Sequence, residues 1–275
     1  MTRLSYSQVA RIAECPWRWY LERHLKFRSL PTWAMVAGTA VHKATEALDR
    51  EASGHDPEGP TDFCDAFDEA ITAEEERSGF SREEWKVTGR RTRTAPRGKD
   101  YDWWTSEGII QVHKWKKWAL NAAVDLWGIE VPWQIDRGGV GAKGMADRVY
   151  KVRGQDYYLV VDIKTGKTPF TAQQLGDYAD ALARAYNLRV DYGAYWLGST
   201  GHLGDVHCLG PWVGRRTECL YRNAARIIEN RAFLPSPGIQ CSYCPMRENC
   251  FVCSSRDDVP TLETIEEEEC PKTAA

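Results

Sequence analysis

The sequence predicts an α/β fold in which helices flank a mixed central sheet. Five runs rich in apolar and β-branched residues have the alternation that is typical of strands. They cover about 129–135, 140–152, 157–164, 191–198 and 203–208. A helix is predicted at about 171–186, between the third and fourth strands, and a last helix at about 215–232 ends before the turn-forming residues 235–238.

The length and composition bound the architecture. The 275 residues suffice for one large domain or two small ones with a sizeable core. No apolar run approaches the roughly eighteen residues of a membrane span, and residues 1–3 lead directly into an amphipathic helix instead of a secretory signal. We therefore expect a cytoplasmic protein without a membrane partner, and we expect residues 1–256 to form a single domain.

Charge is distributed unevenly along the chain. The net charge is −3, from 36 basic and 39 acidic residues, but residues 257–275 hold seven acids against Lys272. Without this segment the rest of the chain would carry +3. Its low complexity predicts a disordered, solubilising tail, and the alternative is that its acids compete with nucleic acid for a basic surface.

Four helices are predicted before the first strand, at about 5–24, 34–52, 61–78 and 102–127. Ser5 and Gln8 form a capping-box pattern at the start of the first helix. Pro16 should break this helix, so the thiol of Cys15 would be free to face another group. A lone core cysteine is the alternative interpretation.

The second predicted helix carries a candidate metal ligand. His42 and Glu46 lie four residues apart on one face, and Gly38 would let another backbone approach closely. Neutral imidazole is a common ligand for transition metals such as manganese, although a hydrogen-bonded structural histidine is the alternative. The helix at about 102–127 interleaves tryptophans with lysines. We expect most of these tryptophans in the core, although stacking on nucleic-acid bases is the alternative.

A one-sided basic segment covers residues 86–99. It contains no acid, and its Thr, Gly and Pro residues are typical of a mobile loop. Its basic residues are Lys86, Arg90, Arg91, Arg93, Arg97 and Lys99. A solvated linker and a phosphate-binding arm are both compatible with this composition.

Two strands joined by a predicted turn bring acidic residues together. Asp162 and Lys164 point to one face of their strand because side chains alternate, and Asp147 on the preceding strand can lie beside Asp162. A buried pair of carboxylates is unfavourable without a positive charge, and a hard divalent cation is the commonest solution. The alternative is a solvated surface hairpin. Gln174 and Tyr178 follow on one face of the next helix.

Four cysteines are clustered within thirteen residues near the C-terminal end, at Cys241, Cys244, Cys250 and Cys253. Thiols at this spacing rarely serve a core, so a metal or cluster site is favoured. The four could form a self-contained zinc site. Alternatively, three of them could join the distant Cys15 in an iron–sulfur cluster.

Together these residues resemble the RecB-like nucleases of the PD-(D/E)xK superfamily, in the iron–sulfur branch that includes the CRISPR adaptation nucleases and the AddB-type helicase-nuclease subunits. The resemblance covers most of the chain in the family's motif order. The motifs are Cys15-Pro16-x-Arg18-x-Tyr20-Leu21, Gly38-x3-His42-x3-Glu46, Gly144-Met145-Ala146-Asp147-Arg148-Val149, Val161-Asp162-Ile163-Lys164-Thr165-Gly166-Lys167, Gln174-Leu175-x2-Tyr178 and Cys241-x2-Cys244-Pro245-x4-Cys250. The resemblance implies a restriction-endonuclease-like core with a helical insertion at about 50–128.

The resemblance also implies one or two Mg²⁺ or Mn²⁺ ions. Their ligands would be His42, Asp147, Asp162 and the backbone carbonyl of Ile163. Lys164 would orient or help deprotonate the attacking water and stabilise developing charge. Gln174 and Tyr178 would position Lys164 or the DNA backbone.

A [4Fe–4S] cluster that joins the two ends of the chain is implied as well. Its ligands would be Cys15, Cys241, Cys244 and Cys250. Cys253 lies outside this pattern, which keeps the zinc alternative open, with Cys253 in place of Cys15. We expect the cluster to be structural because it closes a long loop.

The expected function is that of a metal-dependent DNA exonuclease, acting on single-stranded ends that the basic segment guides. The preference for single strands comes from the resemblance. The setting would be recombination or repair, or DNA processing by a phage or CRISPR system, with the corresponding proteins as partners. A spacer-trimming endonuclease and a catalytically inactive or partner-dependent DNA-binding module are the alternatives. The sequence has no G-x4-G-K-[ST] phosphate loop, so motor activity is not expected.

Overall fold

The computed structural model describes residues 3–166 and 171–262. Its helices are α1 (Tyr6–Glu14), α2 (Pro16–Arg23), α3 (Trp33–Ala52), α4 (Phe63–Ser78), α5 (Tyr101–Asn121), α6 (Gln173–Tyr186) and α7 (Arg215–Glu229). Its strands are β1 (Val124–Asp136), β2 (Gly141–Val152), β3 (Tyr158–Lys164), β4 (Val190–Leu197), β5 (His202–Leu203) and β6 (His207–Cys208). Lys167 and the acidic tail from residue 263 onwards lie outside the described residues. Among the described helices, none has both the length and the apolar character that crossing a membrane requires.

The strands form one mixed sheet in the order β1-β2-β3-β4-β5, and β6 also pairs with β4. β2 and β3 are antiparallel, whereas β3 and β4 are parallel. Parallel neighbours need a crossover, and α6 provides it. The predicted α/β fold with a mixed sheet and flanking helices is thus confirmed. Arg148 lies opposite Val161, so the register places Asp147 across from Asp162.

The break between α1 and α2 has a local cause. Ser5 caps α1 and forms the predicted capping box with Gln8. Cys15 has an extended backbone and ends α1, while Pro16 occupies the first position of α2, where its missing N–H costs no helical hydrogen bond. Cys15 therefore stands at a sharp junction between two helices, as the sequence predicts.

Several predicted boundaries were wrong, including the start of the first strand, which is Val124 instead of about 129. α5 ends at Asn121 instead of about 127, because Val124 and Leu126 already alternate as strand residues and pack with Trp115. The strand predicted at 203–208 is two short strands, β5 and β6, that pair with different parts of β4. α7 ends at Glu229, three residues before the predicted end.

Contacts within the chain define two compact units. The sheet unit comprises Leu30–Ile135 and the described residues of Lys143–Thr217. The cysteine unit comprises the described residues of Met1–Ser29, Asp136–Ala142 and Glu218–Ala275.

The sheet unit has two cores. One lies among α3, α4 and α5, where a Cβ at Gly108 would come within 2.1 Å of the Phe63 ring, so glycine is needed for this close approach. The other lies between α5 and the sheet and is centred on Trp115 and Trp196, whose rings meet edge to face at 5.1 Å. Trp104 and Trp115 are buried as predicted, whereas Trp127 is exposed.

The core of the cysteine unit is aromatic. Trp17, Tyr20 and Leu21 of α2 pack with Phe233 and Met246. The Tyr20 and Phe233 rings lie 4.5 Å apart. This packing fixes α2, whose first turn follows Cys15, against the segment that leads to the C-terminal cysteines.

Candidate functional site

His42 reaches the end of β3 because α3 approaches the strand closely at Gly38. A Cβ at Gly38 would lie 3.0 Å from Oγ1 of Thr165. One turn later, Nε2 of His42 lies 3.0 Å from the carbonyl oxygen of Ile163. A carbonyl only accepts, so Nε2 carries the proton and Nδ1 is left as an acceptor. Burial lowers the pKa of His42 to about 4, which keeps the ring neutral near pH 7.

Three acceptors converge beside this ring. Nδ1 of His42 lies 3.5 Å from Oδ2 of Asp147, which accepts a hydrogen bond of 3.0 Å from the N–H of Ile163. Ligand atoms of His42, Glu130 and Asp147 all lie within 4.8 Å of one another. Neutral and negative acceptors this close are unfavourable unless a cation lies between them. One imidazole and two carboxylates form a donor set that suits Mn²⁺ or Mg²⁺.

His42, Glu130 and Asp147 form a candidate metal centre. Burial raises the pKa values of its carboxyl groups and of the neighbouring Asp162. The pKa of Glu130 rises to about 7, through burial first and then through the charge of Asp147. Burial also raises the pKa of Asp147, and burial together with the Asp147 charge raises that of Asp162. A bound cation favours the ionised form of each group. A cation bound by these groups would therefore displace protons from them.

A ring of polar contacts surrounds the predicted lysine. Nζ of Lys164 lies 2.6 Å from Oδ2 of Asp162 and donates to Oε1 of Gln174 at 3.1 Å. Nε2 of Gln174 donates to the hydroxyl of Tyr178 at 2.7 Å, and this hydroxyl donates to Oδ1 of Asp162 at 3.2 Å. The spacing of four residues on α6 aligns Gln174 with Tyr178. The structure thus brings these four predicted residues together.

The predicted metal ligands are divided between two groups. His42, Asp147 and Ile163 contact one another, whereas both oxygens of Asp162 face Lys164 and Tyr178. Asp162 is only 1% exposed. A metal ligand role for Asp162 would therefore require it to share its carboxylate with Lys164.

The sequence-based interpretation missed Glu130. This residue has φ 43 inside β1, in the left-handed region that non-glycine residues rarely adopt. Up to Leu126 the even-numbered residues of β1 face inward, whereas from Val131 and Trp133 onwards the odd-numbered residues do. This shift by one residue indicates a bulge in the strand. The change of apolar spacing between Leu126 and Val131 is the signal that could have revealed a bulge. No spacing rule could have shown that Glu130 points to Asp147.

A second candidate site lies in the cysteine unit, where one cavity of about 20 Å³ collects five thiols. They are Cys15, Cys241, Cys244, Cys250 and Cys253. Burial raises the pKa of Cys244, with smaller contributions from nearby Cys15 and Cys250. Burial, together with the neighbouring thiols of Cys241 and Cys250, raises the pKa of Cys253 to about 11. The distant Cys15 therefore joins the C-terminal cysteines.

The spacing of these sulfurs distinguishes between kinds of metal site. Four thiolates around one tetrahedral zinc lie roughly 3.8 Å apart, because each Zn–S bond is about 2.3 Å. Among the described residues, the group of three or more potential ligands whose atoms lie within 4.8 Å of one another is His42, Glu130 and Asp147, and it includes no cysteine. Among the described residues, no three of these sulfurs therefore lie as close together as a tetrahedral zinc site would hold them. Backbone N–H groups of Ser236 and Gly238 donate to Cys15 and Cys241.

The basic segment has a C-terminal end whose side chains have partners and a tip whose side chains are exposed. Arg97 forms ion pairs with Asp100 and Asp102. Lys99 lies over the ring of Trp103, with Nζ 4.3 Å from the ring centroid. Lys86 is exposed, and its backbone N–H donates to the carbonyl of Pro31. The tip residues are Arg90, Arg91 and Arg93, which are exposed and form no ion pair with any described residue.

The sequence profile of the PD-(D/E)XK nuclease superfamily matches residues 3–251. The chain therefore belongs to this superfamily.

Two curated relatives are phage proteins. The Gene 69 protein of Mycobacterium phage D29 is 25% identical over 280 residues, covering 90% of this chain and 96% of the relative. The Gene 69 protein of Mycobacterium phage L5 is 24% identical over 297 residues, with the same two coverages. Among solved structures, a Eubacterium rectale protein provisionally described as an exonuclease aligns with a TM-score of 0.54 at 10% identity. The alignment covers 98% of this chain and 93% of that protein, and it shows a shared fold.

Proposed function

We propose that this protein is a Mg²⁺- or Mn²⁺-dependent deoxyribonuclease that hydrolyses phosphodiester bonds at DNA ends. The observation that carries the proposal is the convergence of His42, Glu130 and Asp147, three acceptors within 4.8 Å of one another in a chain of the PD-(D/E)XK nuclease superfamily. Exonuclease action on single strands rests on the resemblance to RecB-like nucleases.

The residues present fit the cation that this chemistry needs. His42, Glu130 and Asp147 would hold it, and Asp162 and the carbonyl of Ile163 lie beside them. When bound, Mg²⁺ or Mn²⁺ lowers the pKa of a water and neutralises charge on the phosphate oxygens.

Lys164 is the residue that we assign to proton handling and charge stabilisation. Asp162 and Gln174 hold its ammonium group from two sides, and its side chain is 24% exposed, so it can meet a substrate. Tyr178 fixes the other oxygen of Asp162 and the amide of Gln174. Asp162, Gln174 and Tyr178 would therefore orient Lys164 toward the attacking water or the phosphate.

The exposed tip of the basic segment is the proposed contact with the DNA backbone. Arg90, Arg91 and Arg93 are available to phosphates, whereas Arg97 is already neutralised by two aspartates. Neutralising a phosphate releases counterions, so this contact should depend strongly on salt.

The cysteine site is proposed to hold a [4Fe–4S] cluster through Cys15, Cys241, Cys244 and Cys250. The presence of Cys15 in the same cavity as the C-terminal thiols supports this assignment. Its role would be structural, because it ties residues more than two hundred positions apart, from Cys15 to Cys250.

We further propose that the enzyme processes DNA in a phage or mobile-element setting, including recombination or CRISPR-associated reactions. The support is that both curated relatives are proteins of mycobacteriophages.

The test is cleavage of single-stranded DNA, labelled at either end in turn, by the full chain with Mn²⁺. We expect digestion from an end, and we expect Asp147→Asn to abolish it because the variant keeps the shape of the side chain but loses its charge. Asp156→Asn is the matched control, since Asp156 is an exposed acid that pairs with Lys151 at the turn of the same hairpin. Tight DNA binding without cleavage by either protein would favour the inactive DNA-binding module.

A further inference from the structure

Glu130 approaches His42 and Asp147 from a strained point of β1. Its backbone adopts φ 43 in a bulge, a conformation that costs about 1–3 kcal/mol for most residues and persists only where its surroundings enforce it. A side chain in such a conformation needs a partner that fixes its direction. That partner is Arg148, whose Nη1 donates to Oε1 of Glu130 at 3.1 Å.

Arg148 is held from several sides. Its guanidinium also donates to the carbonyl of Asp147 at 2.7 Å and to Oδ2 of Asp49 at 2.6 Å. Its side chain is fully buried. A buried guanidinium requires acidic partners, and Asp49 and Glu130 supply them. Arg148 therefore connects a ligand on β1, the backbone of a ligand on β2 and a residue of α3.

Asp49 is held in place by hydrogen bonds to both of its carboxylate oxygens. It lies two turns after His42 on α3, and it is 6% exposed. Its Oδ1 accepts from Nε1 of Trp115 at 3.0 Å, and its Oδ2 accepts from Arg148. Asp49 does not belong to the group of three acceptors, and Arg148 links it to that group through Glu130.

We propose that Asp49 and Arg148 are positioning residues that aim Glu130 at the cation and thereby set the affinity of the centre for Mn²⁺ or Mg²⁺. This inference rests on the proposed function of the centre and extends it to residues that touch neither the cation nor DNA. Hydrogen-bond partners of metal ligands commonly contribute about ten- to a hundred-fold to metal affinity. Asp49 thus supports Glu130 through the arginine that orients it.

The test is a double-mutant cycle on Mn²⁺ affinity, read from the electron paramagnetic resonance signal of free Mn²⁺ with the full chain at pH 8. We expect Asp49→Asn to weaken Mn²⁺ binding about ten- to a hundred-fold in the wild-type background. In the Glu130→Gln background the same change should alter affinity less than about threefold, because the group that Asp49 positions no longer binds the ion. Equal losses in both backgrounds, or no loss in either, would overturn the inference.

Arg148→Lys provides a second measurement that separates geometry from charge. It keeps the positive charge but cannot hold Asp49, Glu130 and the Asp147 carbonyl together. We therefore expect it to weaken Mn²⁺ binding in the wild-type background and to have little effect in the Glu130→Gln background. Asp180→Asn is the matched control, because Asp180 is an equally buried acid that pairs with Arg184 on α6. It should leave Mn²⁺ affinity unchanged. Circular dichroism and thermal unfolding would show whether each variant remains folded at the temperature of the titration.

The cycle also separates this inference from the proposed function. If the wild-type chain binds no Mn²⁺, the metal centre itself is refuted, and the inference with it. If the wild type binds Mn²⁺ and Glu130→Gln weakens it, but Asp49 and Arg148 show no coupling to Glu130, only the positioning inference is refuted.

Discussion

The metal centre and the cysteine site hold their candidate ligands in different ways. At the metal centre, the ligands stand on a long helix and on sheet strands, and hydrogen bonds such as that from Ile163 to Asp147 fix them. At the cysteine site, the C-terminal thiols lie in or beside the short 3₁₀ helices Ile239–Tyr243 and Arg247–Asn249, with few hydrogen bonds to the sulfurs. The fold therefore supplies the geometry of the candidate metal centre, whereas the geometry of the cysteine site would depend much more on the group that we propose it binds.

The strongest test of this contrast removes a ligand from each site. We expect Cys15→Ala to lose essentially all iron and to expose the backbone of the cysteine unit to rapid hydrogen exchange, because folding of such sites is coupled to metal binding. We expect the backbone of both units to remain protected from hydrogen exchange in His42→Ala. Iron and sulfide content and hydrogen exchange by mass spectrometry would measure both effects.

Cys64→Ala is the matched control for the cysteine variants, since Cys64 is half-buried on α4 and lies outside the cavity. It should retain full iron, and Cys253→Ala should retain iron as well. Stoichiometric zinc in place of iron, together with loss of that zinc in Cys253→Ala but not in Cys15→Ala, would contradict the cluster assignment.

The next largest effect concerns the chemical step at the metal centre. Lys164→Met should lower kcat for DNA cleavage about 10²–10³-fold with little change in KM, because it removes a charge that acts on the reacting groups. Lys151→Met, at an exposed ion pair of the same hairpin, should cleave at the normal rate. An unchanged kcat in Lys164→Met would remove Lys164 from the proposed mechanism.

The metal centre should also respond to pH. The pKa of Glu130 in the folded chain is raised to about 7, so its contribution to the stability of the metal-free protein is complete below its ordinary pKa and is lost as pH rises through about 7. Mn²⁺ competes with this proton, and apparent affinity should rise up to about tenfold per pH unit below 7. Calorimetric titration at several pH values would measure the slope, which Glu130→Gln should flatten. A slope that is the same in wild type and Glu130→Gln would contradict the assignment.

The smallest expected effect is a difference in DNA binding between the tip of the basic segment and Arg97 near its C-terminal end. Replacing Arg90, Arg91 and Arg93 by Gln should reduce the slope of log affinity for single-stranded DNA against log salt by about 2, since each lost phosphate contact contributes about 0.7. Arg97→Gln should leave the slope unchanged, because Asp100 and Asp102 already neutralise this arginine. Fluorescence anisotropy at several salt concentrations would measure it, and equal slopes for the tip variant and wild type would rule out a phosphate-binding tip.

Much of the fold followed from local patterns. The capping box at Ser5, the interruption at Pro16 and the alternation in the hairpin of β2 and β3 are short-range signals that tertiary packing did not override. The end of α5 was misplaced because the helix was extended to about 127, although Val124 and Leu126 already have the alternation of strand residues. Pairing with the rest of the sheet decided in favour of the strand.

The sequence by itself determined the candidate residues whose spacing carries chemical meaning, namely Asp147, Asp162 and Lys164 on adjacent strands and the clustered cysteines. Only the tertiary structure decided which of them meet. It placed Glu130 beside Asp147 through a bulge, and it directed Asp162 to Lys164. The physical reason is that alternation and helical periodicity fix the direction of a side chain within one element, whereas a binding site depends on how separate elements pack and on strained backbone that packing alone can hold.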